Sequence, residues 1–163
     1  MSSTSSCGKE EDDAEKKAAA ELKERLKDLV GSKADRVVCG TFHGVAARYL
    51  RQLSSRIGWP ADFLIYDDAD QRSLVSGLLS SADQVTPGAL IKAMERLRLN
   101  PQVAIPTWDR AGQLAKVRLP EYRAALIKAG AVDFQGLVEG LVELVEANHL
   151  PTFDEVMVDE FQD

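Results

Sequence analysis

Between residues 60 and 150, one apolar stripe at helical spacing follows another, each placed behind a residue that can start a helix. Asp68 stands before Leu74, Val75, Leu78 and Leu79, with Gln71 three residues on, which reads as a variant capping box. Thr86-Pro87 is an N-cap followed by proline at the first helical position, leading into Leu90, Ile91, Met94 and Leu97. Leu119-Pro120 opens a further segment by the same proline signal. The longest stripe runs Phe134, Leu137, Val138, Leu141, Val142 and Val145, with Asp133 placed to cap it. Such a run predicts a small all-helical unit over 60–150.

The flanks read differently. Residues 1–13 join serines and threonines to an acidic run and offer nothing to bury, so they are expected to form a disordered tail. From about Ala14, the positions Ala18, Leu22, Leu26, Leu29 and Val30 share a helical face, and Gly31 suits the residue just past the helix end. Val37-Val38-Cys39 has the character of a short buried strand, and Val45, Tyr49, Leu50 and Leu53 mark a second helix that breaks near Gly58-Trp59-Pro60. At the other end Val156-Met157-Val158 reads as a buried strand running into Asp159 and Glu160. The chain therefore divides as a tail (1–13), a strand-bearing segment (14–59), the helical unit (60–150) and a terminal strand (151–163).

A strand that ends in Asp-Glu places two carboxylates at the carboxyl edge of a sheet, where open α/β folds bind ligands. This is the Walker B arrangement, in which the aspartate faces a nucleotide-bound Mg²⁺ and the neighbouring acid handles the attacking water. On its own, a hydrophobic-Asp-Glu triplet is also what any strand meeting solvent can look like. The net charge of -6 disfavours a chain that is basic throughout, so nucleic-acid contact has to be local. Lysines and arginines do concentrate around residues 16–56. Cys7 and Cys39 give neither a disulfide framework nor zinc-ligand spacing. With no apolar run of about 18 residues and no signal-like start, an intracellular chain with no membrane partner is expected.

The string Val158-Asp159-Glu160-Phe161-Gln162-Asp163 resembles motif II of the UvrD/Rep/PcrA-type superfamily-1 ATP-dependent DNA helicases. Four further segments resemble the same family, in its order. They are Lys17 to Leu26, similar to the helix after motif Ia; Gly40-Thr41-Phe42-His43-Gly44; Phe63 to Asp67 with Asp70-Gln71; and Tyr122 with Ala129 to Phe134. The resemblance implies an α/β, mostly helical fold: part of a RecA-like P-loop NTPase lobe, with the all-helical unit inserted into it. It also implies single-stranded DNA as partner and ATP with Mg²⁺ as cofactors. Asp159 becomes the metal-side carboxylate and Glu160 the catalytic base, while Thr41, Phe42, His43 and Lys17 become candidates for DNA contact. Without the family, Phe42 reads as a core ring and His43 as a capping or packing side chain.

Two departures matter. No G-x-x-x-x-G-K-S/T phosphate loop occurs in the 163 residues, and Asp13 to Lys16 stand where the family has a Thr-x-Thr-Asn run. The chain is accordingly expected to be an N-terminal piece of a helicase that binds neither ATP nor Mg²⁺ tightly, is inactive alone and grips DNA weakly. The alternative is a degenerate, non-catalytic helical module that binds DNA or a protein.

Overall fold

The computed structural model describes residues 7–159. Helix α1 spans Cys7–Val30, so it begins seven residues before the expected start at Ala14 and takes up half of the expected tail. Its Lys, Glu, Ala and Leu content favours helix without any burial, and acidic residues near its start suit the positive end of the dipole. Burial does little to hold its second half: Leu22, Leu29 and Val30 of the face expected to pack inward are exposed, and Leu26 is half-buried. Gly31 then adopts the left-handed φ of +59° and begins a 3-10 turn, Gly31–Arg36.

Val37 is extended, but Val37 to Cys39 form no strand, and neither do Val156 to Val158, which lie exposed. A strand is stabilised by a partner's hydrogen bonds, and none reaches either run among the described residues. The sheet expected for a RecA-like lobe is thus not formed by these two segments. Instead a two-stranded parallel sheet joins β1 (Leu64–Tyr66) to β2 (Ala131–Asp133), with Ile65 opposite Val132 and Tyr66 opposite Asp133. It lies within the stretch expected to be entirely helical. Three-residue strands carry too little alternation to be read from sequence.

Around this sheet stand α2 (Phe42–Leu53), α3 (Asp68–Leu78), α4 (Pro87–Leu99), α5 (Arg110–Ala129) and α6 (Phe134–Glu146). Helix α4 starts as its sequence dictates, with Thr86 accepting the Ala89 N–H and Pro87 at the first position. Helix α3 is capped one residue earlier than expected, by Asp67, whose carboxylate takes two backbone N–H groups while Asp70 reaches back. Helix α5 opens at Arg110 behind Asp109 and runs through Pro120, which does not start a helix. The missing N–H there costs a few kcal/mol, offset by burial of Ala115, Tyr122 and Leu126 on the same helix.

Two cores result. Tyr49 and Leu50 of α2 pack with Phe63, Val132, Leu137 and Leu144. Val75, Leu90, Met94, Leu97, Ala115, Tyr122 and Leu126 form the second, between α3, α4 and α5. The sheet serves both, because successive residues of a strand face opposite ways: Ile65 and Val132 meet the first core, Tyr66 and Ala131 the second.

Helix α6 turns a different face inward than its valines suggest. Val138, Val142 and Val145 are exposed, while Gly136, Leu137, Gly140 and Leu144 are buried. A Cβ on Gly140 would sit 2.9 Å from Leu50 Cδ2 and 3.0 Å from Trp59 Cη2, so the bare backbone is what lets α2 come close. Gly140→Val should therefore lower folding stability by about 1–3 kcal/mol through overpacking, read as a lower urea midpoint. An unchanged midpoint would mean that Leu50 and Trp59 swing aside freely.

Candidate nucleic-acid interface

The Thr41-Phe42-His43 segment forms the start of α2. Thr41, in extended backbone, caps the helix by accepting the Gly44 N–H on its hydroxyl at 3.1 Å. Phe42 occupies the first helical position and is 66% exposed, so it is not a core ring; the helix buries Ala46, Ala47, Tyr49 and Leu50 instead. His43 is also exposed, and its ring rests 5.2 Å from that of Phe134, the first residue of α6. Since His43 meets Phe134 and Leu50 lies against Gly140, α2 and α6 run side by side in the same direction. Their N-terminal ends share one side of the molecule. The positive ends of two helix dipoles thus lie on the side of Phe42; the first turn of α2 carries no acid, whereas α6 is capped by the Asp133 carboxylate.

What fixes the start of α6 is a buried ion-pair network. Asp133 caps the helix by accepting the Gly136 N–H on Oδ1 at 2.7 Å. Its Oδ2 accepts from Arg98 Nη1 at 2.5 Å and from the Tyr122 hydroxyl at 2.9 Å. Arg98 also donates from Nε and Nη2 to Glu139 at 2.8 and 3.0 Å, and Arg123 reaches the same carboxylate from the surface. Gln71 lies at the far end, 3.4 Å from the Tyr122 hydroxyl. The Arg98 and Asp133 side chains are 4% and 2% exposed.

The electrostatics follow from that burial. Loss of solvent pushes the Asp133 carboxyl up, but hydrogen bonds and charge from Arg98, helped by the Gly136 N–H and Tyr122, hold it below the usual carboxylate range. Burial likewise works against the Arg98 cation, and the bonds to Glu139 and Asp133 outweigh it, so its pKa is raised. Burial and the Asp133 charge both push the Tyr122 phenol up. At the edge of the network, burial and the same charge raise Glu95.

Lys17 is exposed on α1, whose main packing is on the 3-10 turn at 31–36. Asp159 is exposed after the irregular segment 151–158, and Glu160 lies outside the described residues. A single carboxylate is one ligand of an octahedral ion, and among the described residues no group of three or more His, Cys, Asp or Glu side chains converges on a metal position. Asp159 and its described neighbours do not amount to a magnesium site by themselves. Nor is any helix among the described residues long and apolar enough to cross a membrane. Two participants escape a sequence reading: Phe134, whose ring joins His43, and Arg98, which sits between two leucines on α4 with nothing to mark it as the partner of Asp133.

Two of the segments singled out by resemblance meet here: Gln71 from one and Asp133 from the other both lie within hydrogen-bond reach of the Tyr122 hydroxyl. Comparison with known proteins agrees. Residues 15–163 match the family model described as the UvrD/REP helicase N-terminal domain. The ATP-dependent DNA helicase PcrA of Staphylococcus aureus (strain Mu50) is 29% identical across 90% of this chain, and PcrA of Staphylococcus epidermidis is equally similar over the same share. The chain spans 22% of the length of these relatives. Motifs, matched span and relatives together establish that this chain belongs to the UvrD/REP helicase N-terminal domain family.

Proposed function

We propose that these residues serve an ATP-driven DNA helicase inside the cell, as part of its first RecA-like lobe and the helical unit inserted there, and that the start of α2 holds single-stranded DNA. The observation that carries the reading is the exposed Phe42 ring beside the N-terminal ends of two parallel helices. A ring of this kind stacks on any base, and the N-terminus of α2 together with the Thr41 and His43 side chains suits phosphate oxygens. Binding of this type is indifferent to sequence, as a translocating enzyme requires. Phe134 extends the platform by backing His43. Lys17 and the other cations of residues 16–56 add a local positive field.

ATP and Mg²⁺ are the cofactors of the proposed helicase, with Asp159 offering one oxygen toward the metal and Glu160 acting on water. Catalysis of this kind depends on a phosphate cradle, and the 163 residues contain no such loop. This chain alone is therefore expected to turn over no ATP, with or without DNA. It is expected to bind DNA all the same.

Labelled oligothymidine titrated at low and moderate salt tests the reading. Affinity should fall as salt rises, because released counterions drive much of the binding. Phe42→Ala should weaken binding by about 1–3 kcal/mol at fixed salt. No binding at low salt, or binding indifferent to Phe42→Ala, would overturn it.

A further inference from the structure

The loop between α4 and α5 is braced on both sides of an exposed tryptophan. Val103 and Ile105 pack inward against the second core. Gln113 donates to the carbonyls of Ile105 and Pro106 at 3.0 and 3.1 Å, and the Asp109 N–H returns to Pro106 at 3.0 Å. Asp109 caps α5 through the Gly112 N–H at 2.9 Å and pairs with Arg96. Even Gly112 is spoken for, since a Cβ there would lie 2.6 Å from Ile105 Cγ2. The Arg110 N–H donates to the Trp108 carbonyl at 3.0 Å, and its guanidinium is held at 2.5 Å by Gln84 of the preceding turn. Within this fixed frame the Trp108 side chain is 81% exposed.

A tryptophan held at a rigid place in solvent loses little entropy when a flat partner covers it. Charge selects the partner. On a chain of net charge -6, the stretch from Arg96 to Arg118 carries five cationic residues and one acid. Arg98 is buried, Arg96 pairs with Asp109 and Arg118 with Glu121 and Asp83, but Arg110 and Lys116 are exposed and form no ion pair among the described residues. An exposed aromatic ring with a cation two residues along the chain fits a base and its phosphate. The place is separate from the start of α2, because Arg110 stands twelve residues before Tyr122, about 18 Å along the helix.

From this we infer that Trp108, flanked by Arg110, is a second stacking platform for single-stranded DNA, on the helical unit rather than at Phe42. The choice of ligand rests on the nucleic-acid reading above; the site does not. Trp59→Phe removes the other of the two tryptophans, so that emission reports Trp108 alone. In that background, saturating oligothymidine should quench the emission, and Trp108→Ala should weaken binding about 5- to 150-fold. Trp108→Phe should restore most of the affinity, and Arg110→Gln should lower the slope of log affinity against log salt by about one. An emission unmoved by oligothymidine, while binding still depends on Phe42, overturns the inference and leaves the earlier reading standing. Quenching with binding indifferent to Phe42→Ala does the reverse. Self-association in sedimentation that Trp108→Ala abolishes would assign the ring to a second copy of the chain and overturn the inference.

Discussion

Asp133→Ala is expected to cost about 3–5 kcal/mol of folding stability, enough to unfold much of a marginally stable domain. The variant leaves the Arg98 guanidinium buried without half of its partners, removes the α6 cap and strips the Tyr122 hydroxyl of its best acceptor. Arg98→Met should cost a similar amount for the opposite reason, since it leaves the Asp133 charge buried and unpaired. The double variant Arg98→Met/Asp133→Asn buries no charge and keeps an amide oxygen for the Gly136 N–H. It should be more stable than either single variant. Urea denaturation of the unaltered chain, Arg98→Met, Asp133→Asn and the double variant closes the cycle. A double variant that loses the sum of the two single costs would mean that the residues act independently and that the pair is not what holds the start of α6.

The same pair sets the response to acid. The Asp133 carboxyl has a lower pKa folded than unfolded, so the unfolded chain takes up its proton first. Its contribution is complete above the unfolded value of about 3.9 and is lost as pH falls through the depressed folded value. Tyr122 acts at the other end: its raised pKa preserves stability up to the unfolded value of about 10 and loses it as pH climbs further. The urea midpoint of the unaltered chain should fall with acid more steeply than that of Arg98→Met/Asp133→Asn. Parallel acid limbs would place the acid sensitivity in other carboxylates.

Local signals in this chain were readable and pairings were not. Thr86-Pro87 and Asp133 announce their helices because an N-cap acts within three residues, and the structure has both caps where expected. The stripe on α6 misleads because Gly136 and Gly140 carry no apolar side chain to count, yet their bare backbone is what packs closest. Val37-Val38-Cys39 and Val156-Met157-Val158 have strand composition, but strand formation depends on a partner, which composition does not specify. The same holds for Asp133, legible as a cap and silent about Arg98, 35 residues away in sequence. Asp67 replaced Asp68 as the α3 cap because either aspartate satisfies the rule, and the parallel pairing of Tyr66 with Asp133 ends β1 just ahead of Asp67. At the candidate interface, the sequence named Thr41, Phe42 and His43 but read Phe134 only as part of an apolar stripe and a family segment, because its contact with His43 depends on how α2 lies against α6.

In a longer protein that joins these residues to a phosphate-binding loop, Glu160→Gln is expected to lower DNA-stimulated ATP turnover by about 10²–10⁴-fold while leaving nucleotide affinity nearly unchanged. The amide keeps the size and hydrogen-bonding reach of the carboxylate but cannot accept a proton from the attacking water. A residue that acts on water is needed in the transition state and not in the ground state, so its loss falls on kcat and spares binding. Asp159, on the metal side of the same Asp-Glu pair, should behave differently, with Asp159→Asn weakening nucleotide binding as well as rate. Phe42→Ala offers a third pattern, since a ring that only holds DNA should raise the DNA concentration needed for stimulation and leave unstimulated hydrolysis alone. Steady-state ATPase assays, paired with equilibrium binding of a fluorescent nucleotide, separate the three. Equal loss of affinity and rate in Glu160→Gln would assign Glu160 a structural role and move the base to another residue.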